Sequence, residues 1–283
     1  MILILSLETA AQGGSEIYLF DLQIKNGVIS LSNPVNISNH PGYDNQPSFH
    51  RNDKLIFYSS FNDSGRSEIM QFNYLTNKVS AITKTPEREY SPTQTPDGLF
   101  LSCIIQRDNG QQDLGKYPIH GKKEATVLIN ELKVGYHVWI NESSLLLFVL
   151  EDSAGNALHH YNLHTRHDTV LVKNPGRSLH RIPGTNEFSF IHKLSKDEWL
   201  IKKFNPASNQ ITTIAQCIPG REDIVWLNNY LILSSDGLQF FYLDTRSKND
   251  WRPIELTVAL GFKGISRLSV NSDHTKLAVV AAE

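Results

Sequence analysis

Apolar runs along this chain are short, end in turn-forming residues and recur. A bulky residue followed by Asp, Asn or Pro closes such a run at Phe20-Asp21, Phe72-Asn73, Tyr117-Pro118, Tyr161-Asn162, Phe204-Asn205 and Leu243-Asp244, in steps of 52, 45, 44, 43 and 39 residues. A period near 44 is the length of a four-stranded propeller blade, and segments this short and turn-rich do not suit a helical array.

Two half-repeats alternate within that period. The first is a hairpin, plainest in Pro47–Ser59 and Pro92–Cys103, where Asn52-Asp53 and Asp97-Gly98 supply the reversal. Such pairs tolerate the positive φ of tight turns. Four further copies fall at Tyr136–Phe148, Leu179–Ile191, Asp223–Leu233 and Arg267–Val280. Their second strands, such as Leu145–Val149, are continuously apolar, as in strands buried on both faces. The second half-repeat, as in Ser67–Thr83 and Leu200–Ile214, alternates apolar with polar positions. That pattern fits strands with one face on a neighbouring sheet and one in water. The long first step implies about seven extra residues, placed within Gln23–Asn36.

The chain opens with a second half-repeat and closes with a first one, and neither buries its apolar face alone. Joining them predicts an all-β, six-bladed β-propeller of four-stranded blades. The ring is then closed by the N- and C-terminal strands in one composite blade, which removes free sheet edges. Residues 15–283 form this domain. Residues 1–14 read either as the remnant of a secretory signal, Met1–Leu7 before Glu8–Gln12, or as an extra strand, since Met1–Tyr18 aligns without gaps on Asp53–Met70.

Composition narrows the function classes. A formal net charge of −2 and 20% charged residues give no polyanion-binding surface, so nucleic acid is not an expected partner. Lys122-Lys123 is too short for a basic patch. No apolar run reaches the roughly 18 residues of a membrane helix. Two cysteines, Cys103 and Cys217, exclude a disulfide framework and a cysteine-rich zinc site.

Pro47–Ser60 and Pro92–Ile105 resemble the TolB-type propeller repeat, and Ser15–Asp21 and Ser67–Thr83 resemble its companion strand pair. The likeness is sharp in these two repeats and positional in the other four. It implies the family's six-bladed fold and a periplasmic or secreted, bacterial setting. It extends to the propeller alone, without the separate α/β domain that precedes it in TolB.

Propeller ligands gather where loops enter the innermost strands around the channel. The expected loops are His40–Gln46, Pro86–Ser91, Leu132–His137, Pro175–His180, Pro219–Asp223 and Gly261–Arg267. From them come nine candidate ligand contacts: Tyr43, Asp44, Glu89, Tyr90, Tyr136, Arg177, Arg221, Glu222 and Arg267. Some TolB-like propellers are lyases with a histidine-bound metal in the channel. His137 and His180, at matching positions 43 residues apart, are the corresponding candidates here, with His40 or Glu222 as a third ligand. The histidines His159, His160, His164 and His167 lie on an outer half-blade and read as a solvated edge. The loops Asn62–Glu68, Asp108–Asp113 and Asp152–Asn156 lack the ligand spacing of a calcium loop.

Neither Gly-x-Ser-x-Gly nor His-Glu-x-x-His occurs. Gly115–Lys123 is one residue too long for a phosphate loop and ends in Lys where Ser or Thr is needed. The sequence therefore favours a monomeric, non-catalytic recognition propeller that needs no cofactor and binds a protein, peptide or envelope polysaccharide. The rival is a metal-assisted lyase or hydrolase acting on an acidic carbohydrate in the channel.

Overall fold

The computed structural model describes residues 13–25, 27–121, 124–151, 155–247, 250–256 and 261–283. Six four-stranded antiparallel sheets follow one another around a ring. The first five blades are β3–β6 (Asp44–Phe49, Leu55–Phe61, Ser67–Asn73, Lys78–Ala81), β7–β10 (Arg88–Gln94, Phe100–Gln106, Gln112–Pro118, Thr126–Ile129), β11–β14 (Val134–Asn141, Ser144–Glu151, Gly155–Asn162, Asp168–Lys173), β15–β18 (Pro175–Arg181, Phe188–Lys193, Trp199–Asn205, Gln210–Gln216) and β19–β22 (Ile224–Trp226, Leu231–Ser235, Phe240–Asp244, Arg252–Pro253). The sixth is composite: β23 (Lys263–Val270) and β24 (Lys276–Ala282) join β1 (Ser15–Lys25) and β2 (Val28–Asn36) in the order β2-β1-β24-β23. Pairing runs from Ser15↔Ala282 to Asp21↔Lys276, so the closure expected from the half-repeat order is present. The inserted residues lengthen the β1–β2 hairpin beyond its counterpart β5–β6. Residues 1–12, which hold most of the segment read as signal remnant or strand, lie outside the described residues, as do Lys122-Lys123 and residues 152–154.

The recurring bulky–Asx pattern has two physical jobs. In five blades the bulky residue is the next-to-last of the third strand and its side chain is buried; in the composite blade Phe20 is buried too, but β1 runs on to Lys25. Six hydrophobic clusters, one at each blade-to-blade seam, each take one: Phe72, Tyr117, Tyr161, Phe204, Leu243 and Phe20. Where Asn73, Asn162, Asn205 or Asp244 follows, its side chain caps the outer turn. Asn73 Oδ1 accepts from the N–H groups of Leu75 and Thr76, and Asn162 and Asn205 do the same for the turns that follow them. These Asx turns fix the hairpin with no help from the core.

Second strands are buried on both faces because each serves two seams. In β12, Leu145, Leu147 and Val149 enter one cluster while Leu146 enters the next. Burying a side chain of this size is worth roughly 1.5–3 kcal/mol. Cys103 and Cys217 sit in two of these seams as free, buried thiols.

One expectation needs correction. Much of what the pattern placed in loops is already strand: Glu89 and Tyr90 lie in β7, Tyr136 in β11, Arg177 in β15 and Arg267 in β23. Irregular register hid this, since β3, β7, β11, β15 and β23 all carry a bulge near their start.

Candidate functional site

Those bulges build the site. A bulge inserts a residue into one strand and re-aims its side chain, and here the re-aimed residues face the channel. Gln46, Ser91 and Arg267 hold φ of 57°, 55° and 24°, a region uncommon for residues other than glycine. They line a cavity of about 140 Å³ in the upper half of the channel, together with Tyr136, His137, Arg177, His180 and Asp223.

Its charged centre comes from four blades. Arg177 grips Asp223 with two hydrogen bonds, Nε to Oδ1 at 3.1 Å and Nη2 to Oδ2 at 2.6 Å. Bidentate pairs of this kind are the stronger class of ionic hydrogen bond. Arg267 Nε stands 3.8 Å from the same carboxylate, while its Nη2 donates to the Tyr136 hydroxyl at 2.8 Å. Burial would raise the Asp223 carboxyl, but Arg177 and Arg267 outweigh it and hold the pKa below the usual aspartate range. Burial likewise opposes the Arg177 charge, and Asp223 and Glu222 more than restore it.

Glu222 braces this centre from the side, with its Oε1 3.6 Å from Arg177 Nε. Its Oε2 accepts from the Arg177 backbone N–H at 3.0 Å and pairs with Lys193 at 3.0 Å. Gly176 makes that approach possible, because a Cβ there would lie 2.7 Å from Glu222 Oε2 and from Ile191 Cβ. Gln46 does a similar job across the first seam, accepting from the Ser91 N–H at 2.8 Å and the Ser59 hydroxyl at 3.1 Å.

Beside the cavity lies a second hollow of about 320 Å³, lined by Tyr43, Tyr90, Tyr136 and Phe148 with Gln46, Gln106 and Gln112. Gln46 and Tyr136 belong to both walls. Tyr43 and Tyr90 meet edge to face at 6.4 Å, and Tyr136 meets Phe148 in the same way at 5.4 Å.

The sequence candidates thus divide. Tyr136, Arg177 and Arg267 reach the cavity, and Tyr43 and Tyr90 reach the adjoining hollow. Arg221 is exposed and packs over Gly237. Asp44 and Glu89 are fully buried and offer a partner no surface. Glu89 Oε1 accepts from the Thr85 hydroxyl at 2.6 Å and the Tyr117 hydroxyl at 2.9 Å, while Oε2 has no partner among the described residues. Burial pushes Glu89 up to about 7 and Asp44 up to about 6. Gln46, Ser91 and Asp223 were missed. The first two stand one residue before Pro47 and Pro92, at matching places 45 apart, and that was the available signal.

His137 and His180 do share the cavity, and burial lowers each to about 4, so both imidazoles are neutral. His137 Nε2 meets the Ser102 hydroxyl at 2.7 Å, which also accepts from Trp139 Nε1 at 2.8 Å; His180 Nε2 meets Ser178 Oγ at 2.8 Å. Of the two expected third ligands, His40 lines a different hollow with Tyr58 and Met70, and Glu222 pairs with Lys193 and Arg177. Among the described residues no three His, Cys, Asp or Glu side chains converge as a metal-ligand set, so the residues present do not fit a channel metal. On the outer half-blade, His159 pairs with Asp168 at 2.8 Å, His160 with Ser144 at 2.8 Å and His167 with Thr169 at 3.1 Å, each separately. In the two acidic loops that are fully described, Asp108 is paired with Arg66 and Arg88, and Asp113 with Arg107.

A ring of six four-stranded blades with a polar, arginine-bearing channel defines the class: a TolB-like six-bladed β-propeller fold. Against solved structures, the chain superposes on a TolB candidate from Agrobacterium tumefaciens with a TM-score of 0.71 at 12% identity, over 96% of this chain and 99% of that one. TolB from Acinetobacter baumannii gives 0.58 at 11% identity over 95% of this chain, which spans 64% of that protein's length. An oligogalacturonate lyase in complex with manganese gives 0.58 at 12% identity, over 96% and 98%. At these identities the likeness shows the fold alone. No protein-family model matches the sequence, and no curated protein does. The described residues contain no helix long and apolar enough to cross a membrane.

Proposed function

We propose that the protein is a non-catalytic recognition propeller whose upper channel mouth holds an acidic group of a partner protein, peptide or envelope polysaccharide. One observation carries this reading: the channel centre has a surplus positive charge. Arg177 and Arg267 both point at Asp223, and Arg177 already holds that carboxylate bidentately. Glu222 is shared between Lys193 at 3.0 Å and Arg177 at 3.6 Å, so three cations face two carboxylates. Arg267 is left with a 3.8 Å approach to Asp223 and a neutral phenol, so an incoming carboxylate would complete its pairing. The aromatic hollow next door supplies contact area for the rest of the ligand.

The likeness to TolB supports a binding role, and with it a periplasmic or secreted setting. The manganese-bound lyase of similar fold suggests the rival, but His137 and His180 find no third ligand among the described residues. The test is capture from native envelope extract by immobilised protein, comparing the unaltered chain with Arg267→Ala and Tyr90→Ala. Bands lost with both variants support the reading. Identical capture by all three removes this face as the site.

A further inference from the structure

The lower end of the channel carries a second charged feature that the recognition reading leaves unused. Inner strands β3 and β15 belong to blades that stand opposite each other in the ring, and at their lower ends lie Arg51 and Arg181. Arg51 Nη1 and Nη2 donate to the carbonyl oxygens of Pro96 at 2.9 Å and Gln94 at 3.1 Å, and its backbone N–H is held by Gln94 Oε1 at 3.0 Å. Arg181 Nη2 donates to the Ile140 carbonyl, and its guanidinium carbon lies 4.6 Å over the Phe188 ring. Both guanidiniums are therefore fixed in place. Both line one hollow of about 320 Å³, with Pro96, Trp139, Ile140, Asn141 and Glu142.

A stapling role accounts for only part of this. Each guanidinium has five donors, and the carbonyls use a few of them. Among the described residues neither arginine forms an ion pair, although most other arginines of the protein do. Asp97 offsets part of the Arg51 charge but makes no ion pair with it; its Oδ1 accepts from the Thr95 hydroxyl at 2.6 Å and the Leu99 N–H at 3.0 Å. The charge of Arg181 disfavours the charged form of Arg51, adding to the effect of burial. Both arginines are exposed, so water screens much of their mutual repulsion, and an anion seated between them would remove the rest. Asn141 adds a donor, because its Oδ1 accepts from Ser143 and its amide nitrogen stays available.

We propose that this lower hollow is an anion site for a phosphomonoester-type dianion, clamped between Arg51 and Arg181. The dianion matches two positive charges, and its three terminal oxygens can accept guanidinium forks from both sides at once. Glu142, the one carboxylate lining the hollow, sets a charge against that ligand.

The probe is inorganic phosphate at pH 8, titrated by calorimetry and by thermal shift, with sodium chloride at equal ionic strength as control. Saturable binding and stabilisation by phosphate alone are expected. Arg51→Gln combined with Arg181→Gln should weaken binding by roughly tenfold or more. Should that variant fold poorly, Glu142→Gln keeps the test alive: it removes no hydrogen bond among the described residues and should tighten phosphate severalfold. Arg246→Gln, which removes the same charge from an exposed outer turn where it pairs with Asp244, should leave phosphate binding unchanged. No difference between phosphate and chloride, indifference to Glu142→Gln, or loss of binding in Arg246→Gln would each overturn the site. None of these bears on the upper cavity's acidic partner.

Discussion

Arg267 lies over the Tyr136 ring, 4.8 Å from its centroid, and donates to the Tyr136 hydroxyl at 2.8 Å, although 131 residues separate the two. They come from the sixth and third blades, which face each other across the ring, so the contact spans the channel and closes it at that level. A cation over a phenol ring is worth about 0.5–2 kcal/mol, depending on how dry it is. Tyr136→Phe keeps the ring and removes the acceptor. It should leave the melting temperature within a few degrees of the parent and weaken capture of the acidic partner less than Arg267→Ala does. Differential scanning fluorimetry beside the capture assay checks this, and equal losses in the two variants would contradict it.

Asp223 is the hub on which both channel arginines depend. Asp223→Asn keeps the shape but removes the charge, leaving Arg177 and Arg267 close together with no carboxylate between them. Breaking a largely buried pair from one side typically costs about 3 kcal/mol or more. The variant should melt well below the parent and regain part of the loss when Arg267→Gln is added. A double-mutant cycle by urea denaturation measures that coupling. Additive losses would mean the three groups do not act as a unit.

Glu89 gives the protein an unusual pH dependence. Its folded pKa is pushed up to about 7 by burial, from an ordinary value of 4.5, and that of Asp44 is pushed up to about 6 from 3.8. The folded state therefore binds these protons more tightly than the unfolded chain does. Between about pH 4.5 and 7 the folded form carries more of the Glu89 proton, so this contribution to stability falls as pH rises through that window. For Glu89 the amount is on the order of 3 kcal/mol. Urea midpoints should drop between pH 5 and pH 8, and Glu89→Gln, which stays neutral, should flatten most of the drop. A parent whose midpoint rises steadily across that range would refute this account.

How much of this was legible beforehand follows from which forces are periodic. Phe72, Tyr117, Tyr161 and Phe204 are spaced by the blade length because each fills the same place in a seam, so the ring and its closure can be read from spacing. Channel residues obey no such rule. Arg267 and Gln46 face the cavity because a bulge turns them there, and Asp44 and Glu89, which look like loop acids, are drawn into seams beside Ser60 and Tyr117. A one-residue bulge reverses in from out, and neither turn chemistry nor hydropathy records it.

The composite blade bears the weight of the whole ring. Strand β24 feeds two seams at once: Leu277 and Val279 pack toward the fifth blade, while Ala278 and Val280 pack toward the first. It also pairs with β1 along seven residues, Ser15 to Asp21. Leu277→Ala should cost about 2–5 kcal/mol, as for other fully buried leucines, and leave a closed monomeric ring. Deleting Lys276–Glu283 should do more, because it opens the β1 edge and uncovers both seams, and an exposed apolar edge pairs with other chains. Light scattering after gel filtration should then show oligomers or aggregate, with loss of cooperative melting by circular dichroism. If the truncated chain stays monomeric and melts as sharply as the parent, the terminal strands do not hold the ring shut.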